Sequence, residues 1–240
     1  MNNIIIVIPT LNEKENIKIL FNKLTATNIV FDLLFIDDNS SDGSQEIIKE
    51  LKKKNQNINY IFRPKKMGIG SAHKEALVWC YKKNYKTIIT MDADGTHDPK
   101  YLKFLIKELK NFNIVVTSRF LGKNLLEGWP LFRVFLTRLR YVTISLLLSI
   151  PYDSSGAFRC INCQKVALSD LILAKDDGYA YFWESIFILH KKKYRITQIP
   201  VQLPYRTIGY SKMTIKDIFF SIYYLMVVFL KKIFGKYNFK

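Results

Sequence analysis

The sequence is poor in cysteine. Its 240 residues include three cysteines, too few for a complete set of disulfide bonds. Cys160 and Cys163 have the CxxC spacing of redox and zinc sites, but no second CxxC and no histidine pair at ligand spacing accompanies them. We therefore expect buried or incidental cysteines. The apolar segment Ile4–Ile8 follows Met1 almost at once, so we expect no secretory signal peptide and a reducing, cytosolic compartment.

Acidic residues are also scarce. The chain carries 20 Asp and Glu against 37 Lys and Arg, a formal net charge of +17. Such an excess favours anionic partners, namely nucleic acid, an acidic membrane surface or phosphorylated substrates. The basic residues are scattered through the chain, and the sequence has no helix-turn-helix or RNP motif. We therefore expect no nucleic-acid partner, which leaves membrane surfaces and phosphorylated substrates.

Long apolar stretches are missing. The longest uncharged run of the C-terminal part, Ile218–Leu230, has 13 residues, whereas a helix that crosses about 30 Å of hydrocarbon takes roughly 20. We interpret Trp129–Ile150 and Ile215–Phe234 as amphipathic helices that lie in a membrane interface, with the lysines near the C-terminus available to anionic head groups. Ordinary packed helices are the alternative, because apolar helices also fill protein cores.

Apolar, β-branched segments alternate with helix-like segments through the first half of the chain. The predicted strands are Ile4–Ile8, Phe31–Ile36, Ile58–Phe62, Thr87–Met91 and Ile114–Thr117. The predicted helices are Glu13–Leu24, Gly43–Lys54, Ser71–Lys83 and Pro99–Lys110. This pattern predicts an α/β fold with a mostly parallel sheet flanked by helices, and from Gly122 onward the alternation is expected to end. Ligands of such sheets bind beyond the carboxyl ends of the strands, so the residues after each strand form the candidate site.

The fourth predicted strand is followed by two carboxylates one residue apart. Residues i and i+2 of a strand share a face, so Asp92 and Asp94 can approach one Mg²⁺ or Mn²⁺, cations that prefer oxygen ligands. His97 lies near this pair and is a further candidate ligand, with a satisfied core or surface histidine as the alternative. Taken alone, the acids are equally compatible with a turn and a helix N-cap, because Asp98-Pro99 is typical of a helix start.

Three segments, in their order and spacing, resemble the donor-binding half of family 2 inverting glycosyltransferases with the GT-A (Rossmann-like) fold. They are Ile8–Glu13, Asp37–Ser44 and Met91–Asp94. Later segments are similar to polyprenol-phosphate (dolichol-phosphate) mannosyltransferases. They are Gly128–Arg133, Asp153–Arg159, Gly178–Glu184, Pro204–Arg206 and Gly209–Lys212. The resemblance covers about residues 4–213, so we place the catalytic domain at residues 1–213 and a C-terminal amphipathic membrane-interface helix at residues 214–240.

The resemblance implies roles for individual residues. Asp92 and Asp94 would hold the metal, and together with Arg119 and Arg133 they are the implied catalytic residues. The implied donor-binding residues are Pro9, Leu11, Glu13, Ile36, Asp38, Ser40, Ala93, Arg206 and Lys212. The cationic residues of both sets would lie at the departing diphosphate or at the acceptor phosphate. Glu184 is expected either to orient a phosphate-binding arginine or to form a half-buried ion pair.

The implied reaction moves mannose from GDP-mannose to a polyprenyl phosphate, with inversion and with Mg²⁺ or Mn²⁺. The enzyme would be peripheral or monotopic at the cytosolic face of a membrane. The nucleophile is an oxygen of a phosphate whose second pKa is about 6, so no protein base is needed. UDP-glucose or another UDP-sugar is the alternative donor, and a non-catalytic subunit that binds a nucleotide sugar or a lipid phosphate is an alternative of another class. Whether a separate membrane-anchor subunit takes part stays open.

Overall fold

The computed structural model describes residues 2–123, 125–206, 208–209 and 212–237. The strands in this part of the chain are β1 Ile4–Thr10, β2 Asp32–Asp37, β3 Ile58–Phe62, β4 Thr87–Thr90, β5 Ile114–Ser118, β6 Arg159–Asn162 and β7 Ile196–Pro200. They form one sheet in the order β3-β2-β1-β4-β6-β5-β7. All strand pairs are parallel except those of β6, which runs antiparallel to β4 and β5. The predicted mostly parallel α/β sheet is confirmed.

Helices flank this sheet. They are α1 Lys14–Thr25, α2 Ser44–Lys54, α3 Ile69–Lys82, α4 Leu102–Glu108, α5 Leu131–Leu148, α6 Leu168–Leu171, α7 Tyr181–Lys191 and α8 Ile215–Ile233. The helices predicted in the first half are confirmed, although α4 is shorter than expected because a 3₁₀ turn, Pro99–Tyr101, precedes it. Asp98 caps that turn, since its Oδ1 accepts a hydrogen bond from the Lys100 N–H at 2.9 Å. The helix start predicted at Asp98-Pro99 is therefore present.

The second half of the chain contains more regular structure than its sequence predicted. β6 and β7 complete the sheet, so the expectation that the alternation ends at Gly122 is wrong. The run of α7 from Tyr181 to Leu189 is buried on every face, and it therefore has no amphipathic period by which to recognise it. β6 is four residues long and begins with Arg159, whose buried guanidinium donates to three backbone carbonyls.

The cysteines and His73 lie in or beside the core. Cys80 and Cys160 are buried, Cys163 is half-buried, and all three are free thiols, as expected for structural cysteines. His73 is also buried, with its ring 5.7 Å from that of Tyr181. Burial lowers the pKa of His73 to about 3, so its imidazole is neutral at physiological pH.

One buried carboxyl group joins α8 to the rest of the domain. Glu184 of α7 is 0% exposed, and its Oε2 accepts from the backbone N–H groups of Lys175 and Asp176 at 2.9 and 3.1 Å. Its Oε1 accepts from the hydroxyls of Tyr224 and Tyr237 at 2.8 and 2.5 Å. Neither role expected for Glu184 is correct, because its partners among the described residues are hydroxyls and backbone amides and include no arginine or lysine side chain.

Large apolar side chains are exposed along α5 and α8. On α5 they are Leu131, Phe132, Phe135, Leu136, Leu139, Val142 and Leu146. On α8 they are Ile215, Ile218, Phe219, Phe220, Ile222, Tyr223, Met226, Leu230 and Ile233. Lys232 ties the two helices together, since its Nζ donates to the Leu147 carbonyl and to Ser149 Oγ, each at 2.9 Å. Within the described residues, no helix has the length and apolar character needed to cross a membrane.

Candidate active site

Asn12 holds together the loops that follow β1 and β2. Its φ of 51° lies in the left-handed region, which asparagine adopts more easily than most residues. Its N–H donates to Ser40 Oγ, and its side-chain oxygen accepts from the N–H of Ser41, each at 2.8 Å. Asp37 closes the second loop by accepting from the backbone of Ser40 and from the side chain of Gln45. The two loops therefore form one edge at the carboxyl end of the sheet.

Arg206 joins this edge to the acids that follow β4. Its Nη2 donates to both carboxyl oxygens of Glu13, at 2.9 and 2.8 Å, and its Nη1 lies 3.5 Å from Asp94 Oδ2. Glu13 is buried, and Asn16 Nδ2 donates to its Oε2 at 2.7 Å. A charged pair of this kind fixes geometry as well as charge. The structure thus brings together Glu13, Asp94 and Arg206, which the sequence predicted separately.

Asp92 lies among more acid groups than nearby cations neutralise. Burial, Asp94 and Glu13 raise the pKa of the Asp92 carboxyl to about 8, although Arg119 and Arg206 act in the opposite direction. A group of like charges with a raised pKa at one sheet edge is a typical property of a functional site. This arrangement favours the binding of a positively charged group beside Asp92.

His97 supports the turn that carries these acids. Its Nδ1 accepts from the Asp92 N–H at 2.9 Å, and its ring stacks on Phe158 with 5.1 Å between centroids. Burial lowers the pKa of His97 to about 4, which agrees with an imidazole nitrogen that accepts a hydrogen bond. Of the two interpretations of His97, the structure therefore supports a core histidine whose hydrogen bonds are satisfied.

Arg119 follows β5 and is oriented by Asp153. Its Nε lies 2.9 Å from Asp153 Oδ2, and its Nη2 lies 3.2 Å from Ser155 Oγ. Asp153 is 1% exposed, so this is a largely desolvated ion pair. Arg119 nevertheless acts on Asp92, whose pKa it lowers. The arginine predicted from the fifth strand thus faces the same edge as the acids.

Four of the predicted donor-binding residues contribute in different ways. Pro9 and Leu11 are partly exposed at the edge, where a ligand can reach them. Ile36 and Ala93 are 0% and 3% exposed and belong to the hydrophobic core. The side chains of Ile36 and Ala93 therefore pack below the edge. Direct contact of these two residues with a nucleotide would involve their backbone atoms.

Asp38 is engaged inside the protein. It accepts from the N–H groups of Met67 and Gly68 at 2.9 and 3.0 Å, and it pairs with Arg63 Nη1 at 2.9 Å. These bonds fix the segment that leads into α3. Gly68 has a φ of +99°, and a Cβ there would lie 2.4 Å from the carbonyl oxygen of Asp177, so only glycine fits. Contact of Asp38 with a ribose or a cation stays a prediction.

The two remaining cations lie in different places. Lys212 Nζ donates to the Asn12 carbonyl at 3.2 Å, which places it at the edge formed by the loops after β1 and β2. Arg133 is exposed on α5, with its guanidinium 5.4 Å from the ring centre of Tyr205. No described hydrogen bond or ion pair joins Arg133 to the acids. It borders the exposed apolar face of α5 instead.

The acidic pair fits a divalent cation that shares its ligands with a substrate. Among the described residues, no group of three or more His, Cys, Asp or Glu side chains could hold a metal ion. Mg²⁺ is usually bound in proteins by one or two carboxylates together with substrate phosphates. Asp92 and Asp94 supply two carboxylates, and burial together with the neighbouring Asp94 and Glu13 raises the pKa of Asp92, so a cation there would relieve the repulsion between like charges. The residues present therefore fit a cation bound together with a diphosphate.

Residues 5–162 match the family model described as glycosyl transferase family 2. This stretch is well over half of the chain, and it contains β1 to β6, the acidic pair and Arg119. The chain belongs to glycosyl transferase family 2. It is a glycosyltransferase, as its motifs predicted.

This glycosyltransferase resembles two curated relatives over most of its length. It is 26% identical over 213 residues to the undecaprenyl-phosphate mannosyltransferase of Micrococcus luteus, a match that covers 88% of this chain and 87% of the relative. It is 24% identical over 213 residues to the polyprenol monophosphomannose synthase of Mycolicibacterium smegmatis, covering 88% and 80%. The predicted resemblance to polyprenol-phosphate mannosyltransferases is confirmed.

The fold of this glycosyltransferase is also that of a solved enzyme. Glucosyl-3-phosphoglycerate synthase from Mycobacterium tuberculosis, crystallised with Mn²⁺, UDP and glucosyl-3-phosphoglycerate, superposes with a TM-score of 0.60. The two are 17% identical, and the match covers 98% of this chain and 81% of the other. At that identity the likeness concerns the fold alone, and it supports the GT-A architecture.

The sequence did not predict roles for three residues beside the site. Asp153 and Ser155 lie in the loop before β6, and because β6 runs opposite to its neighbours, this loop reaches the edge where the other strands end. Arg140 of α5 lies beside them, with its Nη2 3.2 Å from Ser155 Oγ. The segment Asp153–Arg159 of the family resemblance was the available signal for the first two. No signal pointed to Arg140.

Proposed function

We propose that this glycosyltransferase moves mannose from GDP-mannose to the phosphate of a polyprenol, using Mg²⁺ or Mn²⁺. The structural observation that carries the proposal is the pair Tyr205 and Arg206. Tyr205 contacts Arg133 at the exposed apolar face of α5, and Arg206 contacts Glu13 and Asp94. Two consecutive residues, Tyr205 and Arg206, therefore connect the exposed apolar face of α5 with the charged edge of the sheet. An acceptor with an anionic head and an apolar tail fits such a junction, and the names of both curated relatives indicate this chemistry.

Each charged residue has a task in this reaction. The bond from the anomeric carbon to the diphosphate breaks, and a bond to an oxygen of the acceptor phosphate forms on the opposite face, so that configuration inverts. A cation held by Asp92 and Asp94 would offset the negative charge that grows on the departing diphosphate. Arg206, held by Glu13, adds positive charge beside Asp94. Arg119 faces the same acids from the β5 side.

The acceptor needs no protein base. The second pKa of a phosphate monoester is about 6, so the nucleophilic oxygen is largely ionised at neutral pH. The carboxylates at the edge therefore balance positive charge and are not needed as bases. Glu13 holds Arg206, and the pair after β4 would provide oxygen ligands for the cation.

A transfer assay with wild-type protein tests this proposal. A short polyprenyl phosphate is incubated with Mn²⁺ and with radiolabelled GDP-mannose or UDP-glucose, each with and without EDTA. We expect mannolipid that EDTA abolishes. Mannolipid that survives EDTA would overturn the metal assignment, whereas glucolipid from UDP-glucose would keep the mechanism and replace the donor.

The same assay separates catalysis from simple binding. A non-catalytic subunit would bind a nucleotide sugar or the lipid phosphate and form no product from either donor. Equilibrium binding of both nucleotide sugars, measured beside the assay, distinguishes that outcome from an inactive preparation. Binding without lipid product would overturn the proposed transfer.

The proposal also places the enzyme peripherally at the cytosolic face of a membrane. Seven large apolar side chains of α5 and nine of α8 are exposed, and contiguous exposed apolar surface is typical of membrane or protein interaction sites. Lys231 follows the apolar run of α8 and is exposed, which suits it to anionic head groups, whereas the ammonium group of Lys232 is engaged with Leu147 and Ser149. We therefore propose that residues 214–240 act as a membrane-interface segment attached to the catalytic domain of residues 1–213.

Acidic substitutions on α8 test the membrane proposal. Phe219→Asp combined with Ile222→Asp replaces side chains that are 68% and 56% exposed. Burying one large apolar side chain contributes about 1.5–3 kcal/mol, so we expect binding to vesicles of phosphatidylcholine and phosphatidylglycerol to fall at least tenfold, with about 1.4 kcal/mol equal to each tenfold. Sedimentation with the vesicles measures this.

Phe104→Asp is the matched control, because Phe104 lies on α4 and is 58% exposed. It should bind vesicles like the wild type, and every variant should retain transfer to a short soluble acceptor. Equal vesicle binding by the α8 variant and the wild type would contradict the proposal. Deletion of residues 214–240 is a poorer test, since it would also remove the partners of Glu184.

A further inference from the structure

Two arginines from different elements meet at one serine. Arg119 Nη2 and Arg140 Nη2 each lie 3.2 Å from Ser155 Oγ. Arg119 has a full counter-charge in Asp153. Arg140 has no ion pair among the described residues, and its Nε is buried without a hydrogen-bond partner there. The cluster of Arg119, Arg140 and Ser155 therefore contains two guanidinium groups, with one carboxylate, that of Asp153, beside them and one buried donor without a partner.

The charge of this cluster is unbalanced. Burial and the nearby Arg119 lower the pKa of Arg140 to about 10, the direction expected for a cation that lacks a counter-ion. At that pKa the guanidinium remains charged at neutral pH. Buried polar groups in native proteins nearly always have partners, and an exception calls for a ligand or a functional reason. An anion would supply both the missing charge and the missing acceptor.

The position of Arg140 on α5 indicates which anion. Arg133, Thr137, Arg140 and Ile144 follow one another at helical spacing and share a face of α5, and Ile144 at its end is buried. Exposed apolar side chains, including Leu139 and Leu146, occupy the rest of the helix surface and border this face. Helix α5 therefore places Arg140 beside Ser155 and leaves several apolar side chains exposed. A ligand with a phosphate head and a hydrocarbon tail would contact both.

We propose that Arg140 is a second cationic contact for the phosphate of the acceptor, beside Arg119. This inference rests on the proposed function and adds a residue to it. A phosphate monoester carries a charge of about −1.5 to −2 at pH 7, which two guanidinium forks match better than one. Ser155, shared by the two arginines, sets their spacing.

Steady-state kinetics with a short polyprenyl phosphate test the proposal. Arg140→Gln removes the charge and retains a donor for Ser155. We expect the KM for the acceptor to rise about tenfold or more, the usual effect of losing a hydrogen bond to a charged group. The KM for the nucleotide sugar should stay within a factor of about two, because Asp92, Asp94 and Arg206 are untouched. Arg140→Lys, which keeps the charge without the fork, should lie between the wild type and Arg140→Gln.

Arg138→Gln is the matched control. It removes the same charge from an exposed position of the same helix, and it should leave the KM for a short acceptor unchanged. An unchanged acceptor KM in Arg140→Gln would overturn the proposal, and so would an equal rise in the KM values of donor and acceptor, which marks a structural effect. If Arg140→Gln fails to fold, the acceptor KM of Arg140→Lys decides, and a wild-type value overturns the proposal.

The outcomes also distinguish this proposal from the function on which it rests. Wild-type transfer combined with a wild-type acceptor KM in both Arg140 variants overturns the role of Arg140 and leaves the function standing. Absence of wild-type transfer to any polyprenyl phosphate overturns both.

Discussion

Replacement of Asp94 by asparagine is expected to reduce sugar transfer by a factor of about 1000 while the fold is retained. Asp94 Oδ1 accepts from the backbone and hydroxyl of Thr96 at 3.1 and 2.7 Å, and asparagine can keep these bonds. Its amide group would then replace Oδ2, which faces Arg206 at 3.5 Å. The substitution would therefore remove one of the two proposed cation ligands and turn an N–H donor toward the cation. Transfer rates and thermal unfolding of the variant measure the two effects.

Asp98→Asn is the control for this experiment. Asp98 lies four residues further along the same loop, its side chain is 42% exposed, and it caps a 3₁₀ turn, a task that asparagine performs equally well. Transfer by this variant should equal that of the wild type. The metal assignment would be wrong if Asp94→Asn kept more than a tenth of the activity, or if Asp98→Asn lost as much.

Replacement of Glu184 by leucine is expected to lower the free energy of unfolding by about 3 kcal/mol or more. Glu184 accepts hydrogen bonds from two backbone amides and two tyrosine hydroxyls in a fully buried position. Leucine leaves all four donors without an acceptor, and stranding each buried donor costs about 1–3 kcal/mol before any relaxation. Urea unfolding measures the total loss.

The indole of Trp183 reports the local effect of that substitution. It lies beside the ring of Tyr224 at 5.7 Å, and its Nε1 donates to Ser221 Oγ of α8 at 3.3 Å. We expect Glu184→Leu to shift tryptophan emission to longer wavelength at low urea, because α8 would detach first. Glu184→Gln should lose less, since its oxygen can face the backbone amides while its NH₂ donates to the tyrosine oxygens. Equal stability of all three proteins would contradict the role of Glu184.

The first half of the fold is predictable because each of its strands and helices has a recognisable local sequence pattern. Each of β1 to β5 is a short apolar run, and the residues after them are the polar ones that a sheet edge needs. The acidic pair and Arg119 were found in this way. The contact of Glu13 with Arg206 spans 193 residues, and no local pattern specifies a partner at that distance. The family resemblance supplied both residues, and only the structure shows that they pair.

The secondary structure of the second half cannot be predicted from local sequence patterns, for physical reasons. The buried run of α7 has no polar face, so its period is invisible, and β6 is too short to show alternation. In α5, the pattern predicts an amphipathic helix but does not say which face turns inward. The structure buries Ile144 and Leu148, brings Arg140 beside Ser155 and leaves seven large apolar side chains of the helix exposed. Which side of the helix is covered depends on what it packs against.

The polarity of the sheet has a practical consequence for handling the protein. Because all strands but β6 run the same way, the charged edge lies at one end, and the turns 55–57 and 84–86, which lead into β3 and β4, lie at the other. Lys53 and Lys54, at the end of α2, are exposed on that far side. A fluorophore or a sensor surface attached at Lys53 or Lys54 leaves the reactive edge unobstructed. This side of the protein is therefore suited to immobilising the enzyme before vesicles or substrates are added.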